Sequence, residues 1–384
     1  MTRWRRQILF GDIDAMYASS AIVADPSLVG KLVAVGSPPP RGIITAASYP
    51  VRRYGVRAAM PTAHALRLCP QLILVPPDRA LYRRMHARMQ EVTDRLFPAT
   101  EWTSIDEFYA DTTDLQSLYA DPETLGRTVK TAIFDATGLR CTVGVASGKV
   151  IAKIAADAHK PDGLGVIVPG AEAAFLGPKP VAVLPGVGTK TTAALATRGV
   201  RTIDDVLDPR VEASLRRLLG ARLSWLQALA RGIDDDPVVP DREAKSISHE
   251  TTFDEDTGDL ALLERTLRGF LGALTHELRM EGLAAASFTV KLKDARFHIT
   301  TRQRHFAKPL NFDPPMWQAI RPALHGLVEP RTKYRLAGLA LSDLAPAVSS
   351  LFDGRTTKAL AAMDEIISKH GAGVMRLGAL PEEE

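Results

Sequence analysis

The chain has 384 residues, 46% of them hydrophobic and 24% charged, with a formal net charge of +4. That length exceeds what one hydrophobic core serves, so at roughly 100–200 residues per domain it implies two to four domains. No membrane-length apolar run or charged-then-apolar leader occurs, and the two cysteines, Cys69 and Cys141, stand in unrelated contexts, which argues against membrane spans, disulfide frameworks and thiolate metal sites.

A soluble intracellular protein is therefore expected, with any metal held by oxygen ligands. The apolar run Gln7–Gly11 leads into Asp12-Ile13-Asp14 and reads as a buried strand delivering carboxylates at its end, with a helix from Ala15. Short β-prone runs at Leu32–Val35 and Gly42–Thr45, broken by Pro38-Pro39-Pro40 and followed by Tyr49-Pro50 and an arginine-rich helical turn, suggest a small α/β insertion. Leu81–Phe97 has a helical pattern. A strand through Trp102 and Ile105, a second over Phe108–Asp111, a helix over Arg127–Thr137 and a strand over Cys141–Ala146 come next. The helix Lys149–His159 is then stopped by Lys160-Pro161-Asp162-Gly163.

Beyond Val168 the pattern changes to short helical pieces around Leu184-Pro185-Gly186-Val187-Gly188, which predicts a separate helical domain. The acidic, proline-containing stretch from Gly232 to Glu243 has no period and reads as a linker. Ser246–Phe253, Leu260–Met280, Ser287–Lys293, Phe297–Arg304, Pro315–Leu327 and Tyr334–Ser342 then alternate as strand, helix, strand, strand, helix, strand. This βαββαβ order suggests a ferredoxin-like sandwich. In its hairpin, Phe288, Val290, Leu292, Phe297 and Ile299 predict an apolar face, and Lys291, Lys293, Arg302 and Arg304 a basic, phosphate-tracking one; a merely solvated outer face is the plain alternative.

Asp12 and Asp14 end one predicted strand, and Asp106-Glu107 lie between two others. Acids gathered at neighbouring strand ends repel unless a divalent cation lies between them. Two such ions serve polymerases, nucleases and cyclases alike. Thr45, Tyr49, Arg52, Arg53 and Lys160 supply a phenol, a hydroxyl and cations suited to a triphosphate. Leu184–Lys190 has the form of a helix-hairpin-helix loop, in which Gly186 and Gly188 let backbone amides reach a DNA phosphate beside Lys190. Trp102 is expected in the core, and the nine histidines show no ligand spacing.

Taken in order, Asp12-Ile13-Asp14-Ala15-Met16-Tyr17-Ala18-Ser19, Ala47-Ser48-Tyr49-Pro50-Val51-Arg52-Arg53-Tyr54-Gly55-Val56, Ser104-Ile105-Asp106-Glu107, Lys149–Asp157 with Lys160-Pro161-Asp162-Gly163, Leu184–Gly188 and Lys245–Phe253 resemble the Y-family translesion DNA polymerases of the DinB branch. The resemblance runs from about Ile8 to Leu344. It implies an α+β, multidomain right-hand polymerase: palm at 1–20 and 77–166, fingers at 21–76, a helix-hairpin-helix thumb at 167–232, a linker at 233–244, a βαββαβ little finger at 245–344 and a tail at 345–384.

The same resemblance implies a low-fidelity, lesion-bypass DNA-directed DNA polymerase. Asp12, Asp106 and Glu107 would be catalytic and, with the Ile13 carbonyl, would hold two magnesium ions, manganese being an alternative; Asp14 would be structural. Met16, Tyr17, Thr45, Tyr49, Arg52 and Lys160 would bind the nucleotide, Tyr17 serving as sugar gate. Gly186, Gly188, Lys190, Lys291, Lys293, Arg302 and Arg304 would contact DNA. The implied partners are primer–template DNA and deoxynucleoside triphosphates, for a monomer in the cytoplasm, associated with the nucleoid.

Three positions and the tail depart from the family pattern: Met16 replaces an aromatic, Ala21 a glutamate and Gly148 an asparagine. The tail's Val348-Ser349-Ser350-Leu351-Phe352 lacks the glutamine of a sliding-clamp peptide, which weighs against clamp binding. Two other readings remain: a catalytically silent scaffold of the same fold, and a two-metal enzyme acting on free nucleotides. The second has no use for the helix-hairpin-helix and the basic C-terminal module.

Overall fold

In the computed structural model, which describes residues 3–240, 243–347, 362, 364–366 and 369, the run after Gln7 forms strand β1 (Ile8–Ile13), buried at all six positions. Helix α1 (Met16–Ala24) follows through Ala15, whose left-handed backbone (φ 48°) turns the chain sharply off the strand. Strands β2 (Val33–Gly36) and β3 (Ile44–Ala47), helices α2 (Tyr49–Arg52) and α3 (Thr62–Leu68), and strand β4 (Ile73–Val75) make a small three-stranded sheet ordered β3-β2-β4. It has its own core around Ile44, Val51, Val56 and Leu72.

Next come α4 (Arg79–Leu96), β5 (Thr100–Trp102), β6 (Glu107–Asp111), α5 (Pro122–Thr137), β7 (Cys141–Ala146), α6 (Lys149–His159) and β8 (Leu164–Val166). The strands among them join β1 in a five-stranded sheet ordered β5-β6-β1-β7-β8. A central strand covered on both faces must be apolar throughout, which is why β1 lacks polar alternation. Its Leu9 and Ile13 pack among residues of α4 and α5, while Ile8 and Phe10 pack with α6. Strand β5 stops at Trp102 instead of running on to Ile105. The Ser104 hydroxyl accepts from the amides of Asp106 (3.3 Å) and Glu107 (3.1 Å), and this turns the chain so that both acids arrive at the head of β6. Trp102 is packed between His86 and Phe108, as a core residue.

Four short helices follow, α7 (Glu172–Leu176), α8 (Thr189–Ala196), α9 (Pro209–Leu219) and α10 (Arg222–Ala230). The stretch after Gly232 is no loose tether. Asp234, 8% exposed, accepts from the Val150 amide at 2.6 Å and so caps α6, whose own N-cap residue, Gly148, has no side chain to do it. A Cβ at Gly148 would lie 2.5 Å from the Asp234 Cβ, so glycine and the capping aspartate go together. Lys149 Nζ meets buried Glu101 at 2.5 Å and the Pro237 carbonyl at 3.2 Å, and Glu101 accepts from the Val239 amide. Asp234→Ala should therefore lower unfolding free energy by about 1–2 kcal/mol, read as an earlier denaturation midpoint. A midpoint equal to the parent's would make this contact idle.

The chain comprises two compact units, Met1–Arg242 and Glu243–Glu384. The second unit contains β9 (Ser246–Thr257), α11 (Leu260–Met280), β10 (Leu283–Asp294), β11 (Ile299–Leu310), α12 (Asp313–His325) and β12 (Tyr334–Pro346). The element order is the expected βαββαβ, but the antiparallel sheet runs β11-β10-β12-β9. Its second and fourth strands are therefore central, whereas a ferredoxin-like sheet centres its first and third. Burial explains the difference: β10 and β12 carry the apolar runs, while β9 and β11 are polar and largely exposed, fit only for edges.

The register also corrects the expected hairpin faces. Phe288 pairs with Arg304, Val290 with Arg302 and Lys293 with Ile299. Directly opposed residues point to the same side of a sheet. Arg302 and Arg304 thus share the helix-covered side with Phe288 and Val290, and only Lys291 and Lys293 belong to the uncovered side. Phe297 and Ile299, expected on the apolar face with Phe288 and Val290, are 63% and 55% exposed. The tail segment Val348–Phe352 lies outside the described residues.

Candidate active site

The register Asp12↔Glu107 between β1 and β6, with the Ile13 amide donating to the Asp106 carbonyl at 3.0 Å, brings the three acids of two distant motifs to one end of the sheet. Asp12 is 6% exposed and its carboxylate contacts Lys160 Nζ. Glu107 Oε1 meets Lys153 Nζ at 2.6 Å, and Asp106 Oδ1 accepts from the Ser104 hydroxyl at 2.6 Å. Burial pushes the Asp12 carboxyl up to about 7; Lys160 opposes this, and the charges of Glu107 and Asp106 add to it. Burial works against the Lys160 ammonium too, yet Asp12 outweighs it and holds that lysine above its ordinary range. Above about pH 7 the contact is an ion pair.

Among the described residues no three acidic, histidine or cysteine side chains converge as a ready-made metal cage. The donor chemistry nevertheless fits a hard divalent cation: three carboxylates at one strand end, one raised by burial and, to a smaller degree, by the charges of the other two, and the Ile13 carbonyl beside them. A test follows from the sign of the Asp12 shift. Its folded value is raised above 3.8, so the folded chain holds this proton more tightly, and metal-free stability from this group declines between about pH 4 and 7. A cation needs the ionised form. Magnesium is thus expected to raise the melting temperature more at pH 8 than at pH 5.5, and equal shifts would remove Asp12 from its ligands.

Asp14 is tied into the structure from three directions. It accepts from the Tyr49 hydroxyl (3.1 Å), the Thr142 hydroxyl (3.0 Å) and the Asp162 amide (2.7 Å), which links α2, β7 and the turn after α6. Arg52 lies over the Tyr49 ring, 4.1 Å from its centroid, and donates to the Ala47 carbonyl. Tyr49, Arg52 and Lys160 therefore belong to one network through Asp14 and the Lys160–Asp162 turn. Thr45 is exposed on β3, away from the half-buried Tyr49 side chain.

Met16, 2% exposed, is a core residue, and the Tyr17 ring stacks on Tyr82 of α4 with centroids 4.4 Å apart. This second tyrosine braces the Tyr17 ring. Burial, then the charge of Asp106, raises the Tyr17 hydroxyl, which places that phenol within electrostatic reach of the acids. Sequence reasoning missed Tyr82, Lys153 and Asp234. For Lys153 the available signal was its place one turn after Lys149 on one helix. For Asp234 it was a helix beginning at a glycine that offers no cap.

In the helical part of the first unit, Gly186 takes φ 79° and its carbonyl accepts from Arg222 at 3.0 Å. Gly188 is the N-cap of α8, with nothing near its missing Cβ, and Lys190 is exposed in the first turn. The amides of that turn face outward from a helix N-terminus. In the second unit Lys291 pairs with Glu250 at 2.7 Å, and Arg302 packs against Gly326, the C-cap of α12, where a cation complements the helix dipole.

Residues 11–157 match the impB/mucB/samB family and residues 244–351 the impB/mucB/samB family C-terminal domain. The chain is 38% identical over 351 residues to DNA polymerase IV of Methanoculleus marisnigri, covering 90% of this chain and 96% of that one. It is 33% identical over 379 residues to DNA polymerase IV of Dehalococcoides mccartyi, covering 97% of each. Among solved structures, a chimera of the Y-family DNA polymerases Dbh and Dpo4 superimposes with a TM-score of 0.81 at 26% identity, covering 89% of this chain and all of the chimera. DinB from Sulfolobus solfataricus does so with a TM-score of 0.61 at 26% identity, over 88% of this chain and 98% of that one.

Proposed function

The chain belongs to the impB/mucB/samB family of Y-family polymerases and is a lesion-bypass DNA-directed DNA polymerase, and we propose that Asp12, Asp106 and Glu107 are its catalytic carboxylates. The observation that carries this reading is the Asp12↔Glu107 register, which unites acids more than ninety residues apart beside a lysine and the half-buried Tyr49 that holds Asp14. The family depends on a divalent metal; two magnesium ions are the proposed form, held by those carboxylates and the Ile13 carbonyl. Such a cation supplies Lewis-acid charge where the primer hydroxyl meets the nucleotide phosphate.

The chain's own groups do the positioning. Tyr49, Arg52 and Lys160, with the amides of Met16 and Tyr17 at the head of α1, take the triphosphate: arginine offers paired donors, lysine a point charge, and a helix N-terminus orphan amides. Thr45 joins them in this reading. Lys160 then exchanges its Asp12 contact for a phosphate oxygen, leaving Asp12 ionised for metal. Tyr17, braced by Tyr82, lies against the sugar. The palm, fingers, thumb and little finger correspond in this proposal to the five-stranded sheet with its helices, residues 21–76, residues 167–232 and residues 245–344.

Primer–template DNA is held by sequence-independent contacts, at the α8 N-terminus with Gly186, Gly188 and Lys190 and on the uncovered side of the second unit's sheet. That side shows Thr289, Lys291, Lys293 and Gly338, small or basic residues that admit a phosphate backbone, with Glu250 as the acid beside Lys291. Arg304 joins from the strand edge, and Arg302 has a structural role at α12. Neutralising Lys291 and Lys293 together to Gln should weaken binding of any DNA sequence and flatten the salt dependence by about one to two units of slope. An unchanged slope would return the face to a solvated surface. Among the described residues no helix is long and apolar enough to cross a membrane.

The deciding experiment is extension of a labelled primer annealed to a template, with magnesium and deoxynucleotides, on an undamaged and then a lesion-bearing template. Template-directed addition, including opposite the lesion, is the expected result. A protein that binds the duplex and adds nothing would overturn the catalytic reading.

A further inference from the structure

The hairpin joining β10 to β11 ends in a tip, residues 295–298, organised around one carboxylate. Asp294 Oδ1 accepts from the amides of Arg296 and His298, each at 2.8 Å, and Oδ2 meets His298 Nδ1 at 3.2 Å. Phe297 N donates to the Asp294 carbonyl at 3.0 Å, and Ala295 N donates to the Lys333 carbonyl at 3.1 Å, which ties the tip to the loop before β12. Phe297 is held at φ 68°, a left-handed backbone that aromatic residues rarely adopt. The ring so presented is 63% exposed beside Ile299, and the Arg335 guanidinium lies 4.9 Å from its centroid.

Core packing does not account for this arrangement, because the ring has no core to enter. Charge indicates what meets it. Lys293 and Arg296 lie on the same hairpin within four residues of Phe297, and Arg331, Lys333 and Arg335 belong to the adjoining loop and strand, while the tip's one carboxylate is turned inward onto its own amides. The acidic run Asp254–Asp256 belongs to β9, on the opposite edge with β12 between. A rigid aromatic ring inside a basic rim is the combination that binds single-stranded nucleic acid: stacking on a base face, with cations taking the phosphates.

We propose that Phe297, braced by Arg335, is a stacking platform for an unpaired DNA base, a contact separate from phosphate tracking along the duplex. Paired bases offer this ring no free face, since reaching one would require unstacking the duplex. The proposal rests on the DNA polymerase reading above and adds single-stranded template as a ligand of this tip.

The test uses the full chain and Phe297→Ala, with Phe297→Trp as the conservative variant. Three probes are titrated: a labelled oligothymidylate, a primer–template with an unpaired template overhang, and the flush duplex of the same paired length. At the affinity change typical of one lost base–aromatic stack, Phe297→Ala should bind the first two roughly tenfold more weakly, bind the flush duplex within twofold of the parent, and keep the parent's melting temperature. Phe297→Trp should restore binding. Equal loss on all three probes, or no loss on any, overturns the proposal and leaves the ring to a groove or protein contact. Primer extension by the parent separates the outcomes: a parent that fails to extend defeats the polymerase reading itself, whereas one that extends while Phe297→Ala binds like the parent defeats only this inference.

Discussion

Asp106→Ala is expected to lower nucleotide incorporation about a thousandfold or more while primer–template affinity stays within a few-fold. A cation's contribution to such a transition state is several kcal/mol, and each ~1.4 kcal/mol is a factor of ten in rate. Asp106 is the cleanest of the three acids to remove. Its side chain meets the Ser104 hydroxyl, whereas Asp12 holds Lys160 and Glu107 holds Lys153, so deleting Glu107 would strand a half-buried ammonium and deleting Asp12 would leave Lys160 only its contact with the more exposed Asp157. Asp12→Ala should lose activity to the same degree but also lose stability. Pre-steady-state incorporation of a single nucleotide, beside equilibrium binding of the same duplex, reads both quantities. Near-parental incorporation by Asp106→Ala would remove these carboxylates from the chemistry.

Tyr17→Ala should raise the efficiency of ribonucleotide relative to deoxynucleotide incorporation by roughly a hundredfold. A ring against the sugar excludes a 2′-hydroxyl by contact alone, and truncating it removes the penalty on the wrong substrate without disturbing the right one. The ring is fixed by its stack on Tyr82, so Tyr82→Ala should produce a smaller shift of the same sign, through a less constrained Tyr17. The same template base is used for both nucleotides in all three proteins. A Tyr17→Ala protein that stays folded and active with an unchanged ratio would place the sugar gate elsewhere.

The sequence by itself determined the strands and helices that carry the chemistry, because their signals are local. The apolar run ending at Gly11 forms most of β1, and Cys141–Ala146 and Lys149–His159 coincide with β7 and α6. The motifs also made the family legible, since each block combines chemically demanding residue types at fixed spacing. What remained out of reach depended on contacts between distant segments. The capping of α6 by Asp234 joins positions 84 residues apart, and a proline-containing acidic stretch carries no local trace of the helix it serves. The stack of Tyr17 on Tyr82 likewise needs α1 and α4 side by side. The hairpin was misread for a related reason. Alternation within one strand fixes which residues share a face, but only inter-strand register decides which face that is. Register put Arg302 and Arg304 with the helices, left Lys291 and Lys293 on the open side, and exposed Phe297 at a tip set by the Asp294 carboxylate.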